Sequence, residues 1–362
     1  MWNSLGAQPK ANEIEVTVLG PGYGESVVVH LGNGEWLIVD SCVDATELNK
    51  PSAPLKYLRT IGVQVESAVK IIVVSHWDDD HVKGISEVVE ACPNADFVTS
   101  TVFTDEKFTC FVEAIAVGAA KADGGNVENI RRVLQFLAST GKPIKDSVPT
   151  RQLCSNPVIR CWSPSDIDKT EFLKSVMQMY PRAGEGLRKA ISSDSNLSSV
   201  VLTIEWPNVS ILLGADMENS PDNRRGWGAV VTEVAKIGVM PGDLVKIPHH
   251  GSRTGHDDRM WTNLLCNKPV SVLTPFGKGA LKSRPPTSSD ISRISGKSRK
   301  LFVSAKHTTA TRPKMDWAVA RSIREGMITI SSKKTPMGIV RHRRLPDADW
   351  ESTTFGAAFR IK

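Results

Sequence analysis

A chain of 362 residues, 40% hydrophobic and 23% charged, has enough apolar material for a packed core, and its composition is that of a soluble globular protein. No run approaches the roughly 18 apolar residues needed to cross a bilayer, and Met1 to Gly6 lacks the basic-then-apolar pattern of a secretory signal, so a cytoplasmic protein that does not engage membranes is expected. Six cysteines (Cys42, Cys92, Cys110, Cys154, Cys161, Cys266) form no CxxC pair, which argues against a zinc ribbon or a disulfide framework and for reduced, mostly buried thiols. The net charge of +6 is uneven: Lys278 to Arg344 holds seventeen basic and three acidic side chains, a balance of +14, against −8 over the rest. A basic face built late in the chain would suit a polyanionic partner.

In chain order, Glu13 to Val18 alternates acidic and apolar residues as a half-exposed strand does. The turn Gly20-Pro21-Gly22-Tyr23-Gly24, a strand from Ser26 to Leu31, the hairpin signal Gly32-Asn33-Gly34 and a strand from Trp36 to Val39 ending at Asp40 describe an antiparallel meander. A helix is expected over about 45–61, broken near Pro51 and Pro54, followed by the buried strand Ile71 to Val74 and a helix from about Gly84 to Ala91. Phe97 to Phe103 reads as a strand. A mostly helical insert spans about 105–190, its clearest 3.6-residue periodicity running from Val127 to Leu137. Strands are then expected at Val158 to Trp162, Ser198 to Glu205, Ser210 to Leu213, Leu244 to Ile247, Val270 to Thr274 and Leu301 to Ala305, with a helix near Ala229 to Ile237. Two strand-rich halves with helices between them point to an α/β protein of the αββα four-layer type, in which two sheets pack face to face. We expect one domain over 1–345 and a C-terminal tail over 346–362.

Four of these strands end in groups that bind metals: Asp40, the run His76-Trp77-Asp78-Asp79-Asp80-His81, Asp216, and His249-His250. Acidic groups crowded at the mouth of a buried strand repel one another, and divalent cations would remove that repulsion while supplying a reactive water. Of the remaining histidines, His30 reads as structural, His342 as part of the basic tail, and His256 and His307 as weaker candidates for a cleft.

This arrangement resembles the metallo-β-lactamase superfamily. The HxDxDH run, in which Asp78 stands where the superfamily usually has a second His, is similar to the hydrolase domain of the competence protein ComEC. So are Leu212-Leu213-Gly214-Ala215-Asp216, Ile247-Pro248-His249-His250-Gly251-Ser252, the early stretch Leu19 to Ser26, Leu37 to Asp40, and Asn196 to Leu202. The resemblance implies one metal held by His76, Asp78 and Asp216. It implies a second held by Asp80, His81, Asp216 and one of His249 or His250, with Asp216 bridging. Asp40 would orient a ligand. Asp80 and His250 would serve catalysis directly, the two cations sharing a hydroxide, and the other histidine of the pair could donate to the phosphate or the leaving group. The superfamily's third ligand motif is not evident, and Asn196 or Asp194 could occupy it. Arg284 stands where a His-Pro step is common, and Arg284, Lys282 and Asn196 are candidate phosphate contacts. The hard Asp78 oxygen moves metal preference from Zn2+ towards Mn2+.

The expected function is a two-metal phosphodiesterase acting on nucleic acid, with basic residues such as Lys282, Arg284, Arg293 and Arg299 meeting phosphates. The alternatives are a small-molecule phosphodiester or ester hydrolase, and a partner-activated effector, such as a defence protein, that docks through the insert or the basic segment.

Overall fold

The computed structural model describes residues 1–116, 121–122, 126–179, 189–190, 195–277, 284–306 and 336–362. The first strands are β1 (Ile14–Gly20), β2 (Ser26–Gly32), β3 (Glu35–Val39), β4 (Val69–Val74), β5 (Asp96–Ser100), β6 (Lys121–Ala122) and β7 (Ile144–Ser147). Next come β8 (Gln152–Ser155), β9 (Val158–Cys161), β10 (Lys189–Ala190), β11 (Leu202–Trp206), β12 (Val209–Leu213), β13 (Gly242–Lys246), β14 (Leu265–Leu273) and β15 (Lys300–Val303). The chain closes with β16 (Gly338–Arg344), β17 (Glu351–Gly356) and β18 (Phe359–Arg360). Apart from the short β6–β10 pair they form two eight-stranded sheets, ordered β17-β16-β1-β2-β3-β4-β5-β7 and β18-β15-β14-β13-β12-β11-β9-β8.

The pleat sorts side chains into layers. In the first sheet Val27, Val29, Leu37, Val39, Ile71 and Val73 face inward, against Ile204, Ile211, Leu213, Leu244 and Val270 of the second. Their alternates Val28, Trp36, Ile38 and Ile72 turn outward, onto helices α1 (Ala53–Thr60), α2 (Val65–Ala68) and α4 (Ile85–Ala91), with the single turn α3 (Asp79–Val82) between the last two in sequence. On the second sheet Leu212 and Val245 likewise turn outward. They meet α8 (Gly226–Ile237), α9 (Asp258–Asn263) and α10 (Ser288–Lys297). The result is the αββα sandwich.

Several boundaries differ from the sequence reading. The early helix begins only at Ala53, with Pro54 in its first turn, where a missing amide proton costs nothing. The insert is less separate than expected, because β7 extends the first sheet and β8–β9 the second. Its helix α6 (Asn126–Thr140) sends Val133 and Leu137 into the outer core of the first sheet. Helix α5 (Glu106–Ala116) and α7 (Asp166–Met179) enclose a further small core with Phe103, Phe108 and Phe172.

Residues 346–362 are not a tail: β17 pairs with β16, and β18 pairs with β15, so the C-terminus edges both sheets. His342 is correspondingly not in a basic tail. It is fully buried in β16 between the rings of Phe302 and Trp350 and bonded to Ser352. Its neighbours on that strand spend their charge inside the fold: Arg343 on Glu15, Arg344 on Asp243, and Arg341 on the Leu5 carbonyl. Arg293 and Arg299 are also paired, with Asp290 and Asp349. All six cysteines are free thiols, three of them buried. Among the described residues no helix is long and apolar enough to cross a membrane.

Candidate metal centre

β3, β4 and β5 run parallel in the first sheet, and β12, β13, β14 and β15 run parallel in the second. Loops at the carboxyl ends of parallel strands carry the site, the usual place for ligands in such sheets. Asp40 leaves β3, the His76–His81 run leaves β4, Asp216 leaves β12, and His250 leaves β13. The turns are tight: Asp40, Ala215, His249 and His250 all adopt left-handed φ values, between 45° and 59°. Non-glycine residues held there store strain, and such strain gathers at functional sites.

The histidines are held from behind. The His81 Nδ1 meets Asp40 Oδ2 at 2.8 Å, and Asp40 in turn accepts from the Ser75 amide at 2.7 Å and the Ser75 hydroxyl at 2.6 Å. The Nδ1 of His250 meets the Thr274 carbonyl at 3.0 Å, and that of His76 meets the Ser75 hydroxyl at 3.1 Å. All three Nε2 atoms are thereby left to one space. His250 Nε2 lies 3.1 Å from Asp80 Oδ2 and 3.2 Å from Asp216 Oδ2, and His81 Nε2 lies 3.5 Å from Asp216 Oδ1. His76 Nε2 lies 3.8 Å from Asp78 Oδ2, and its ring centroid is 4.0 Å from that of His81. Asp78 accepts from the Ser195 hydroxyl at 2.7 Å.

Metal ions fit this donor set. His76 Nε2, His81 Nε2 and Asp216 Oδ1 are buried with no hydrogen-bond partner, a costly arrangement that a cation would relieve. The charges agree. Five carboxylates (Glu25, Asp40, Asp78, Asp80, Asp216) against the Lys246 ammonium leave four negative charges when the histidines are neutral, which two divalent cations would balance. Without such balance the carboxylates draw protons onto the rings. Burial pulls the His250 pKa down, but Asp216, Asp80 and Glu25 together push it up to about 10. Burial and the neighbouring His81 hold His76 down at about 4, while burial and Asp80 raise Asp78 to about 6.

Two members of the centre were not expected from the sequence. Lys246 is 1% exposed and ion-pairs with Glu25, while lying 3.8 Å from Asp216 Oδ1 and 3.2 Å from the Ala215 carbonyl. Glu25, Asp216, His81 and His250 together form a buried cluster able to hold a metal ion. Within it Glu25 approaches the Nδ1 sides of His81 and His250, at 3.7 and 3.6 Å, and its oxygens take Lys246 and Thr274. We therefore read Glu25 as the counter-ion of Lys246 and a brace for the rings, with the Nε2 atoms facing the metals. The signal for Lys246 was its place inside an apolar strand, where a lysine is rare unless paired. Glu25 was hidden in a glycine-rich turn.

His249 does not join the cluster. Its Nδ1 turns to Glu218 at 3.0 Å and to the Thr254 hydroxyl at 3.0 Å, so of the expected ligand pair only His250 faces the centre. His256 is also outside, bonded to Trp261 and Asp258, and His30 bridges Glu13 and Gly34 within the sheet. Asn196 lines a cavity of about 420 Å³ with Met217, Glu218, Asn219 and Arg225, the two residues after Asp216 among them; the Asn196 Oδ1 is buried without a partner. Arg284 is half-buried in a turn whose Pro285 carbonyl accepts from the Phe276 amide. Lys282, Asp194 and His307 lie outside the described residues.

No family model and no curated protein sequence matches the chain. Among solved structures it is similar to MEM-A1, a subclass B3 metallo-β-lactamase from a soil metagenome library, at 14% identity over 70% of this chain and 83% of the other, with a TM-score of 0.36. It is also similar to the hydrolase AbOPH of the β-lactamase superfamily, at 15% identity over 63% and 83% with a TM-score of 0.37. A third likeness is to the metallo-β-lactamase SMB-1, at 13% identity over 69% and 82% with a TM-score of 0.35.

Proposed function

We propose that this chain is a metal-dependent hydrolase of the metallo-β-lactamase type, and that it cleaves phosphodiesters in nucleic acid. The observation that supports it most is the convergence of His76 Nε2, His81 Nε2 and Asp216 Oδ1, all buried and without partners, beside Asp78, Asp80 and His250. His76, Asp78 and Asp216 would hold one cation, and Asp80, His81, Asp216 and His250 the other. Cations bound there supply Lewis acidity and lower the pKa of water. Asp40 accepts the His81 Nδ1–H, which fixes the tautomer and leaves Nε2 free to coordinate. Glu218 and Thr254 hold His249 at the edge of the centre, where its ring can hand a proton to a departing oxygen. The Asp78 oxygen in place of a nitrogen ligand favours Mn2+ over Zn2+.

Metal-stripped protein should regain activity on single- or double-stranded oligonucleotides with Mn2+. The Asp80→Ala/His81→Ala double variant should lose it while unfolding cooperatively as the parent does. Cleavage that persists in the double variant refutes the reading. The open cavity of about 420 Å³ lined by Asn196, Met217 and Glu218 favours, as a second reading, a small phosphodiester. Salt separates the two, since cleavage of a polymer falls steeply with ionic strength and cleavage of a small ester does not.

A further inference from the structure

One wall of the otherwise charged metal centre is made of two aromatic rings that the mechanism does not use. Tyr23 and Phe276 are both part-exposed and meet edge to face, with centroids 5.6 Å apart and planes at 65°. Phe276 leans against the ring of His250 at 5.3 Å and 36°. Burial, and after it the charges of Asp80, Asp79 and Asp78, raise the Tyr23 hydroxyl above the usual tyrosine range. Phe276 thus packs on a candidate ligand of the second sheet, while the turn that carries Tyr23 is tied to the other segment by the Glu25 amide, which donates to the Asp80 carbonyl at 2.8 Å.

The rings are held in place by backbone. Gly277 packs so closely on the Gly22 carbonyl that a Cβ there would collide with it, and the Phe276 amide donates to the Pro285 carbonyl at 2.9 Å. The Lys83 ammonium sits 4.8 Å over the Tyr23 ring. Part-exposed aromatic rings beside the candidate metal centre, with a cation over the Tyr23 ring, match the chemistry of a base held next to its phosphate.

We propose that Tyr23 and Phe276 form a stacking shelf for the nucleobase that flanks the scissile phosphate, with Lys83 meeting the adjoining phosphate. This rests on the phosphodiesterase reading above and names its substrate as a base-bearing one rather than a simple alkyl diester. Stacking tolerates every base, so the shelf confers affinity without sequence preference.

The test compares two fluorescent single strands of equal length, oligo-deoxythymidine and its abasic (tetrahydrofuran) counterpart, by anisotropy and by cleavage with Mn2+-loaded protein. The wild type should bind and cleave the base-bearing strand roughly 5- to 150-fold better, the range that loss of one base–aromatic stack gives. The Tyr23→Leu/Phe276→Leu variant should lower the base-bearing strand to the abasic level and leave the abasic strand unchanged. Equal binding of the two strands by the wild type overturns the shelf even if both are cleaved. A variant that weakens both strands alike also overturns it, because the rings then only support the centre; metal content and thermal unfolding of the variant verify that it is folded and loaded. A base preference in binding without any cleavage upholds the shelf and refutes the nuclease reading.

Discussion

The Lys246–Glu25 pair offers the sharpest energetic test of how the centre is built. Both side chains are buried, at 1% and 2% exposure, and the ammonium also faces Asp216 at 3.8 Å. Lys246→Met keeps most of the side-chain volume and removes the charge. Glu25 is then an uncompensated carboxylate among Asp40, Asp80 and Asp216, and breaking a buried pair from one side costs about 3–5 kcal/mol. Glu25→Gln in the same chain removes that orphan, so the double variant should lose at least about 2 kcal/mol less than the sum of the two single losses. The metal provides an independent arm. Losing one positive charge raises the uncompensated negative charge of the centre from four to five, so saturating Mn2+ should stabilise Lys246→Met by more than it stabilises the wild type. Urea unfolding of all four proteins, stripped and loaded, measures each quantity from the midpoint at constant slope. A stripped Lys246→Met that loses less than about 1 kcal/mol, together with additive single variants, would show that the pair does not carry the charge balance assigned to it.

Other predictions concern positions that the structure brings into view. Asp40→Asn keeps the shape behind His81 but withdraws the charge from its Nδ1, and should weaken metal binding about 10–100-fold by competition titration; unchanged affinity would remove Asp40 from the design. Burial, aided by Lys300, drives the His342 pKa down to about 3. The unfolded chain binds a proton there below about 6.5 while the fold does not. Stability should therefore fall with pH between those values by about 1.4 kcal/mol per unit from this residue alone. The His342→Gln variant should show a shallower decline of its melting temperature from pH 6 to 4, and an identical slope would refute the assignment.

Much of the centre was legible because chemistry and local pattern coincide. HxDxDH follows an apolar strand, and Asp216 and His250 each follow another, so the sequence alone named four strand ends and the αββα layering. It could not choose between His249 and His250. Their spacing is one residue, and only the left-handed turn decides that His250 faces Asp80 and Asp216 while His249 turns to Glu218. Glu25 and Lys246 were invisible for the same reason: a lone acidic residue in a glycine-rich turn and a lone lysine in a strand acquire meaning only from each other, across two sheets. Part of the basic C-terminal stretch turned out to face inward. Charge counted along a chain says nothing of what it faces, and Arg341, Arg343 and Arg344 are held by the N-terminal segment, Glu15 and Asp243. The sequence determined the residue types that can bind a cation and the strands that carry them, since these depend on neighbours a few positions away. Which of them meet, and which charges are already neutralised, was decided by the face-to-face packing of the two sheets, because Coulomb interaction and coordination act over a few ångströms of space and not over positions in the chain.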